Sequence, residues 1–541
     1  MVAYLPRARP LGISGANPTL AAVPRRDQPT SSRRPESDAP REQGGTPADA
    51  RDAACRVLTR QARAFPLLIP TEAQTGGLDA RDAALAHAIH DSVIRRWLTL
   101  SILLESASGR DLGDLEPAMR AVLLSGAAQL LLLDRIPPHA AIDQSVEWAK
   151  RRIRPKAGAM VNAILRRTAE LSSRDADGAH VRRPAWTDKL DEIPMPDGSA
   201  RVLSREVMPA IELDRLSIAT SMPRRMLERW VGHAFAQGRG EAAGAVSTTE
   251  AADESHAGAT SRTAGAGPPA SSPSRDLVRA RALHGLTPAP TIINTSHARE
   301  PIAAGDPRLV PHRSPGHHVW TGPHADLGSF LGGRDDVWVQ DPASSASVAF
   351  GHAQLTAGTH TRHPPRVIAD VCAGQGTKTR QLAALFPEAE ILATDTDEER
   401  LVTLRGVFAG HPRVRVLTRD ELVEASRQRC DLILLDVPCS NTGVLARRPE
   451  ARYRLTERTL DRMADVQRQI GADSILLLAP KGRVLYATCS LEPEENEQMA
   501  AWFTRWHNLR TLARQSLEPS GLPGQAGTAY RDGSFAVVLG R

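Results

Sequence analysis

The sequence has little of several features that would indicate other classes of protein. Only five of its 541 residues are cysteine, and no two of them have the CxxC spacing. This scarcity argues against a disulfide framework and against a zinc or other metal site, and it fits a reducing cytoplasmic compartment. Long apolar runs are also missing, so we expect neither a membrane-spanning helix nor the apolar core of a signal peptide.

Lysine is scarce as well. It occurs only at positions 150, 156, 189, 378 and 481, so arginine supplies nearly all of the positive charge. The formal net charge is +6. Arginine binds phosphate through a planar fork of donors, so this mild basicity permits an RNA partner but does not require one.

Composition and periodicity divide the chain into segments. We predict a disordered tail (1–48), a helical RNA-binding bundle of four or five helices (49–172), a loop-rich connection that ends in a helix (173–236), a flexible low-complexity insertion (237–280), a small α/β RNA-binding subdomain (281–350) and a domain of alternating strands and helices (351–541). Repeated strand–helix units predict an α/β Rossmann-like fold, a doubly wound and mostly parallel sheet.

Two cysteines follow short apolar runs that read as buried parallel strands. Cys439 follows the run 431–438, and Cys489 follows the run 482–488. Ligands of open α/β sheets bind beyond the carboxyl ends of the strands, so we expect both thiols to face one pocket. The alternative is that one or both are buried apolar fillers.

A turn and an acidic residue indicate a nucleoside-type cofactor. The first strand of the C-terminal domain runs into DVCAGQGTKT (370–379), where small residues allow close backbone approach and a helix begins. The spacing is not that of a nucleoside triphosphate loop. Asp395, at the end of the next strand, is placed to accept hydrogen bonds from a ribose, or else to cap a helix. The cofactor would be a dinucleotide or S-adenosylmethionine.

The thiols fit covalent methylation of a pyrimidine. C5 of cytosine is a poor nucleophile, but addition of a thiolate at C6 makes C5 reactive toward a sulfonium methyl group. Asp436 could bind N3 and stabilise the charge that develops there. A second thiol could assist elimination as a general base, and the residues alone do not say which cysteine attacks.

Motifs along most of the chain resemble the RNA 5-methylcytosine methyltransferases of the RsmB/Nop2/Sun family. They are DVPCSNTG (436–443), YATCS (486–490), PEENE (493–497), RRP (447–449) and VQDPAS (339–344). In the bundle, LLLDRIPPHA (131–140) and VNAILRR (161–167) are similar to the NusB-like domain of the bacterial 16S rRNA members. The resemblance covers most of 50–235 and 285–541.

The resemblance implies roles for individual residues. Cys489 would be the nucleophile and Cys439 would promote product release, with Asp436 as a third catalytic residue. S-adenosylmethionine would be bound by Cys372, Ala373, Gly374, Gln375, Gly376, Thr377, Lys378, Asp395, Asp420 and Asp436. The partner would be ribosomal RNA, taken as unassembled 16S rRNA, and we expect a cytoplasmic monomer.

Basic residues are the predicted RNA contacts. They concentrate at the end of the bundle and after the first thiol, at Lys150, Arg151, Arg152, Lys156, Arg166, Arg167, Arg447 and Arg448. Such residues contact phosphates or simply form a solvated helix face.

The cofactor turn departs from the CAAPGGK that is usual in the family. Here it reads CAGQGTK (372–378), so a glycine has moved to position 374 and Thr377 replaces the second glycine. If Thr377 had to adopt a positive φ, the turn would be strained. This departure motivates a second hypothesis, an RNA-binding ribosome-assembly factor with an impaired methyltransferase domain. A third hypothesis keeps the enzyme but gives it tRNA as substrate.

Overall fold

The computed structural model describes residues 46–233, 273–300, 302, 306–356 and 364–541. The predicted tail, apart from its last residues, and most of the predicted insertion lie outside these ranges. Of the helices in the described ranges, none is both long and apolar enough to cross a membrane.

Six α-helices form a bundle in the first described range. They are α1 (Ala50–Ala64), α2 (Ala80–Arg95), α3 (Trp97–Ser108), α4 (Pro117–Leu131), α5 (Pro138–Arg152) and α6 (Ala157–Glu170). The apolar α4 lies in the core, where nearly every residue from Met119 to Leu131 is buried. Asp49 caps α1 by accepting hydrogen bonds from the N–H groups of Arg51 and Asp52. The bundle has more helices than the predicted four or five, and α2 and α3 among them are separated only by Arg96.

The connection after the bundle is more ordered than predicted. The loop-rich stretch contains an antiparallel sheet of order β1-β3-β2, made of very short strands: β1 (Arg182–Arg183), β2 (Glu192–Pro194) and β3 (Ala200–Val202). Helix α7 (Glu212–Thr220) and helix α8, described over residues 224–233, follow. The predicted flexible insertion extends too far, because its last residues belong to helix α9 (Pro273–His284), which packs Val278 and Ala282 into a core with Trp230.

A small antiparallel sheet precedes the C-terminal domain. Its order is β5-β6-β4-β7, built from β4 (Ile292–Asn294), β5 (Leu309–Pro311), β6 (His317–Trp320) and β7 (Trp338–Val339), with α10 (His324–Leu331) alongside. Helix α11 (Pro342–Thr356) then leads to the large sheet, against which its buried Val348 and Leu355 pack.

The large sheet has seven strands in the order β10-β9-β8-β11-β12-β14-β13. The strands are β8 (Val367–Asp370), β9 (Glu390–Ala393), β10 (Val414–Val416), β11 (Cys430–Asp436), β12 (Leu478–Thr488), β13 (Arg510–Leu517) and β14 (Ser534–Gly540). Strands β8 to β12 pair in parallel, and β14 pairs antiparallel with both β12 and β13. The predicted doubly wound, mostly parallel sheet is confirmed. The strand order reverses between β8 and β11, where ligands of such sheets bind.

Six α-helices belong to the described part of this domain. They are α12 (Thr377–Leu385), α13 (Glu398–Val407), α14 (Arg419–Ser426), α15 (Ala451–Arg454), α16 (Glu457–Ile475) and α17 (Glu497–His507). Strand β12 begins three residues after the end of α16, where Leu478 pairs with Cys430.

Candidate active site

The two thiols meet at the carboxyl edge of the large sheet. Cys489 directly follows β12 and Cys439 follows β11 by three residues, and their Sγ atoms are 3.0 Å apart. Cys439 is 6% exposed, whereas Cys489 is half-buried. Asn441 Oδ1 accepts a hydrogen bond from Cys489 Sγ at 3.3 Å. The expected juxtaposition of the thiols is therefore present, with Cys489 as the more accessible sulfur.

The environment of Cys439 favours its protonated form. The hydrogen bond with Cys489 and the burial of the thiol raise the pKa of Cys439 well above its ordinary value. Cys439 is therefore a thiol at neutral pH, able to donate a hydrogen bond to the sulfur of Cys489.

The turns that carry the thiols are fixed by a buried polar network. Glu495 accepts a hydrogen bond from Ser440 N at 2.9 Å and another from Gln467 Nε2 at 3.0 Å. Tyr486 donates its hydroxyl to the backbone carbonyl of Glu495 at 2.7 Å. Burial raises the pKa of the Glu495 carboxyl. Because these partners lie on different elements, the network holds the ends of β11 and β12 in one geometry.

A cavity of about 360 Å³ opens beside the thiols. Cys439, Cys489, Asp436 and Asn441 line it on one side. The remaining wall includes Pro70, Ser344, Lys378, Arg400, Arg448 and Arg454. The cavity thus joins two thiols, a carboxylate and several cationic groups.

Asp436 and Lys378 form an ion pair at the cavity. Lys378 Nζ lies 2.8 Å from Asp436 Oδ2 and 3.0 Å from Ser344 Oγ. Burial alone would lower the pKa of Lys378, but the charge of Asp436 and the hydrogen bond between them outweigh it, so this pKa is raised. Lys378 is therefore cationic at neutral pH.

The glycine turn is unstrained. Gly374 and Gly376 adopt φ values of +57° and +86°, while Thr377 is the first residue of α12 and has no positive φ. A Cβ at Gly376 would lie 2.6 Å from the Phe408 ring, but one at Gly374 would meet nothing within 4 Å. The two positions that need glycine have it, and the strain anticipated for Thr377 does not arise.

Asp395 is tied to this turn. Its Oδ2 accepts a hydrogen bond from Gly374 N at 2.9 Å and its Oδ1 accepts one from Asp397 N at 2.9 Å. Helix α13 is capped by Asp397 and not by Asp395. The helix-cap alternative for Asp395 is therefore wrong, and its carboxylate remains beside the glycine turn.

Two other acidic or sulfur groups lie under the turn. Burial raises the pKa of Asp370 to about 7, and Thr379 Oγ1 donates a hydrogen bond to it at 2.7 Å. Burial and the charge of Asp370 raise the pKa of Cys372, which stays a neutral thiol. Ala373 is buried, and its carbonyl accepts the N–H of Gly376; Gln375 is exposed.

Asp420 lies apart from the thiols. It is exposed in the first turn of α14, beyond the end of β10, and it is not among the residues that line the cavity.

The predicted RNA-contacting residues divide into two groups. Those of the bundle are exposed along the end of α5 and on α6: Lys150, Arg151, Arg152, Lys156, Arg166 and Arg167. Of the pair after the first thiol, Arg448 is exposed and lines the cavity. Arg447 instead binds within the protein, to Asp532 at 2.7 Å and to Asp341 at 3.1 Å. The charge of Asp532 outweighs burial and raises the pKa of Arg447. Arg447 therefore links the loops that carry Asp341 and Asp532.

Sequence reasoning missed residues that come from distant segments. Ser344 and Pro70 reach the cavity from α11 and from the helical bundle. Ser344 ends the VQDPAS motif, whereas no motif includes Pro70. Asn441 could have been identified from its position two residues after Cys439. His233, Glu492 and Glu494 also lie within metal-ligand spacing, but Arg229 already forms ion pairs with both glutamates.

Comparisons with known proteins agree with this arrangement. Residues 360–530 match the family model of the 16S rRNA methyltransferase RsmB/F, and residues 48–170 match that of the NusB family. The chain is 28% identical over 509 residues to ribosomal RNA small subunit methyltransferase B of Xanthomonas campestris pv. campestris, covering 91% of this chain and 96% of the relative. The protein of the same name from Vibrio cholerae serotype O1 is 26% identical over 476 residues, covering 85% and 90%.

A solved structure has the same fold. The crystal structure of PH0851 superimposes with a TM-score of 0.58 at 19% identity, covering 90% of this chain and 98% of the other. At this identity the likeness concerns the fold alone. The two family models and the full-length relatives together show a methyltransferase domain similar to RsmB/F at residues 360–530, preceded by a helical domain of the NusB type at residues 48–170.

Proposed function

We propose that this protein methylates C5 of a cytosine in 16S ribosomal RNA, with Cys489 as the nucleophile. The observation that carries the proposal is the 3.0 Å contact between two thiols at the carboxyl edge of the sheet, inside a cavity shared with Asp436 and Lys378. The names of the relatives supply the RNA class.

S-adenosylmethionine is the methyl donor in this proposal, and when bound it supplies an electrophilic methyl group. The residues present fit such a molecule, since Asp395 offers a carboxylate beside a glycine turn whose Gly374 leaves open space on its Cα. Cys372 through Lys378, Asp395, Asp420 and Asp436 are the residues we propose to hold it.

In the proposed reaction the Cys489 thiolate uses its electron pair to bond C6 of the cytosine. The C5=C6 electron pair shifts to C4–C5 and the C4=N3 pair shifts to N3. C5 would then take the methyl group while the bond between that group and the donor's sulfonium sulfur breaks, its electron pair remaining on sulfur. Asp436 and Lys378 face the ring from the cavity wall and stabilise the charge that develops at N3. Loss of the C5 proton then restores the C5=C6 bond and expels the thiolate from C6.

Cys439 is suited to this last step. Its pKa is held high chiefly by the neighbouring sulfur of Cys489. As a thiol 3.0 Å from that sulfur, Cys439 can donate a hydrogen bond to it as the bond between the Cys489 sulfur and C6 breaks. This position supports the assignment of Cys439 to product release.

The two alternative functions receive less support. An impaired cofactor turn was the reason to consider a binding-only assembly factor, and the turn is unstrained. A tRNA substrate has no support from the full-length relatives. They match the chain over both domains and are named for small-subunit ribosomal RNA.

The test is methylation of a 16S rRNA transcript by the purified protein with S-adenosylmethionine, read by mass spectrometry and bisulfite sequencing. Cys489→Ala should lower product formation by at least about a thousand-fold, because no nucleophile remains, while RNA affinity stays unchanged. Cys439→Ala should instead accumulate a covalent protein–RNA adduct, seen as a shifted band under denaturing conditions.

Cys430→Ala is the matched control. Cys430 is fully buried at the start of β11, at the opposite end of the strand from the thiol pair, so this variant should retain activity. Full turnover by Cys489→Ala would refute the proposal, and wild-type protein that binds S-adenosylmethionine but forms no 5-methylcytidine would refute the assigned target atom.

A further inference from the structure

The helical bundle contributes part of the catalytic cavity. Pro70, at the end of the segment that follows α1, lines the same cavity as Cys439 and Cys489. We call residues 66–70 the rim segment. The NusB-family domain therefore reaches the place where the target base would lie, and its role extends beyond distant RNA contacts.

The rim segment exposes apolar side chains in an alternating pattern. Leu68 is fully buried in the core of the bundle, whereas its neighbours Leu67 and Ile69 are 56% and 50% exposed. Leu68 anchors the segment in the core, so the backbone that carries the exposed Leu67 and Ile69 is fixed in place. Large apolar side chains at this exposure, in a segment whose next residue, Pro70, lines the cavity, indicate a contact surface.

The segment is held rigidly in this position. Gln61 donates its amide to the Ile69 carbonyl at 2.6 Å and accepts the Ile69 N–H at 2.8 Å. Phe65 stacks on Trp97 with ring centroids 5.0 Å apart, and it also contacts Tyr453 at 5.8 Å. Tyr453 belongs to α15, next to Arg454 of the cavity wall. The exposed pair thus has a defined position relative to the cavity.

The surroundings identify the partner as nucleic acid. Arg448 and Arg454 line the cavity that Pro70 borders, and guanidinium groups bind phosphates. An apolar tip beside phosphate-binding groups is the combination that proteins use to enter a base stack, where Leu, Ile and Pro serve as wedges.

We propose that Leu67 and Ile69 form a wedge that enters the RNA base stack beside the target cytosine and occupies the space vacated when that base turns into the cavity. This proposal rests on the proposed function. Turning a paired or stacked base outward costs stacking energy, and an apolar side chain that fills the gap recovers part of it. The wedge is therefore needed for stacked RNA and dispensable for RNA that is already unstacked.

The experiment compares wild type with the double variant Leu67→Ala/Ile69→Ala on two RNAs that contain the methylated cytosine found by bisulfite sequencing. One is a short unstructured oligonucleotide and the other holds the cytosine in a base-paired stem. Because stacking contacts contribute about 1–3 kcal/mol per base, kcat/KM on the stem should fall by about ten-fold or more. On the unstructured RNA it should change by less than about two-fold. Leu67→Met/Ile69→Met keeps the apolar volume and should restore the stem activity.

A second readout does not depend on methylation. With 2-aminopurine beside the target cytosine in the stem, wild type should raise the fluorescence on binding, and the double alanine variant should not. Leu476→Ala removes a leucine of similar exposure, 50%, between α16 and β12, and should behave as wild type.

Two outcomes would overturn the wedge: equal losses on both RNAs, or an unchanged fluorescence response in the double alanine variant. If wild type shows the fluorescence change but methylates neither RNA, the proposed function fails while the wedge stands. If wild type methylates both RNAs and the double variant does too, the wedge alone is refuted, and the exposed pair then serves a different partner.

Discussion

The two thiols differ in ways that only their surroundings reveal. In the sequence Cys439 and Cys489 have equivalent positions, each at the end of an apolar run. In the structure Cys439 is 6% exposed with a strongly raised pKa, and Cys489 is more accessible and hydrogen-bonded to Asn441. Accessibility is what a nucleophile needs, so the geometry favours the assignment that the resemblance to the family implies.

Burial of the Asp370 carboxyl beneath the glycine turn lowers the stability of the folded protein once the group ionises. It is fully buried, and burial raises its pKa from 3.8 to about 7. Below pH 3.8 the group is protonated in both the folded and the unfolded protein and costs nothing. Between pH 3.8 and 7 the unfolded chain is ionised while the folded one keeps its proton, so stability falls as the pH rises. Above pH 7 the whole cost is present.

We therefore predict that Asp370→Asn stabilises the protein, and more strongly at high pH. The free-energy gain should be on the order of 3 kcal/mol at pH 8 and smaller at pH 5. Melting temperatures of wild type and variant at the two pH values measure it. Asp461→Asn, an exposed position on α16, is the control and should shift neither melting curve. A gap between Asp370→Asn and wild type that does not change with pH would contradict the assigned burial effect.

At the scale of elements, the active site depends on how closely two turns approach. Gly443 N donates to the carbonyl of Cys489 at 2.9 Å, and Gly533 N donates to the carbonyl of Gly443 at 2.8 Å. A Cβ at Gly443 would lie 2.7 Å from both the Cys489 and the Gly533 carbonyl oxygens. Glycine is required at position 443 because two carbonyl oxygens lie close to its Cα, and not because its φ is positive.

Gly443→Ala should consequently displace the turn that carries Cys489. We expect methyl transfer to fall by at least about ten-fold, because small misplacements of reacting groups are costly, and the melting temperature to drop. Methylation kinetics and calorimetry measure these effects. Gly406→Ala on α13, where a Cβ would meet nothing within 4 Å, is the matched control and should leave activity intact. Normal kinetics for Gly443→Ala would show that the two turns are free to separate.

Elements were predictable from sequence where they bury apolar runs. Strands β8, β9 and β11 are of this kind. Strand β13 (Arg510–Leu517) was not predicted because it is a polar edge strand with no buried residue, so it contains no apolar run. The sheet β1-β3-β2 was missed because strands of two or three residues carry no periodicity.

The site was predictable only in part, for a related reason. Both thiols, Asp436 and the glycine turn follow strands, and strand ends of a parallel sheet converge. The ion pair of Lys378 with Asp436 and the approach of Pro70 depend on tertiary packing between segments far apart in the chain. Local pattern contains no signal for such contacts. The ion pairs of Arg447 were unpredictable for the same reason, because its partners Asp341 and Asp532 come from two other loops.

At the scale of the whole molecule, Arg452 and Tyr453 of α15 connect the catalytic domain to the segments that precede it. Arg452 is fully buried, and its guanidinium donates to the carbonyls of Thr220 at 3.1 Å, Gly285 at 2.9 Å and Leu445 at 3.2 Å. Burial lowers its pKa to about 10, so it remains cationic at neutral pH. Beside it, the hydroxyl of Tyr453 donates to the Ile94 carbonyl of α2 at 2.9 Å. These contacts of Arg452 and Tyr453 form a joint. The position of the helical bundle relative to the catalytic domain, and therefore the position of the rim segment, depends on it.

Arg452→Met should loosen the joint while roughly preserving side-chain length. Three carbonyl groups from three segments lose their donor, and each buried unsatisfied group costs about 1–3 kcal/mol. The melting temperature should fall by several degrees, and limited proteolysis should release the helical domain more readily. Arg458→Met, at an exposed position of α16, is the control and should match wild type in both measurements.

The same variant separates domain placement from chemistry. If the rim segment acts through its position, Arg452→Met should lower methylation of stem RNA more than methylation of unstructured RNA, because the thiol pair remains on the intact sheet while the wedge is no longer fixed over the cavity. Kinetics on the two RNAs, run below the lowered melting temperature, measure the ratio. Unchanged stability with an unchanged ratio would mean that the remaining contacts, such as Arg95 Nη1 to the Ala446 carbonyl at 2.8 Å, suffice to hold the domains together.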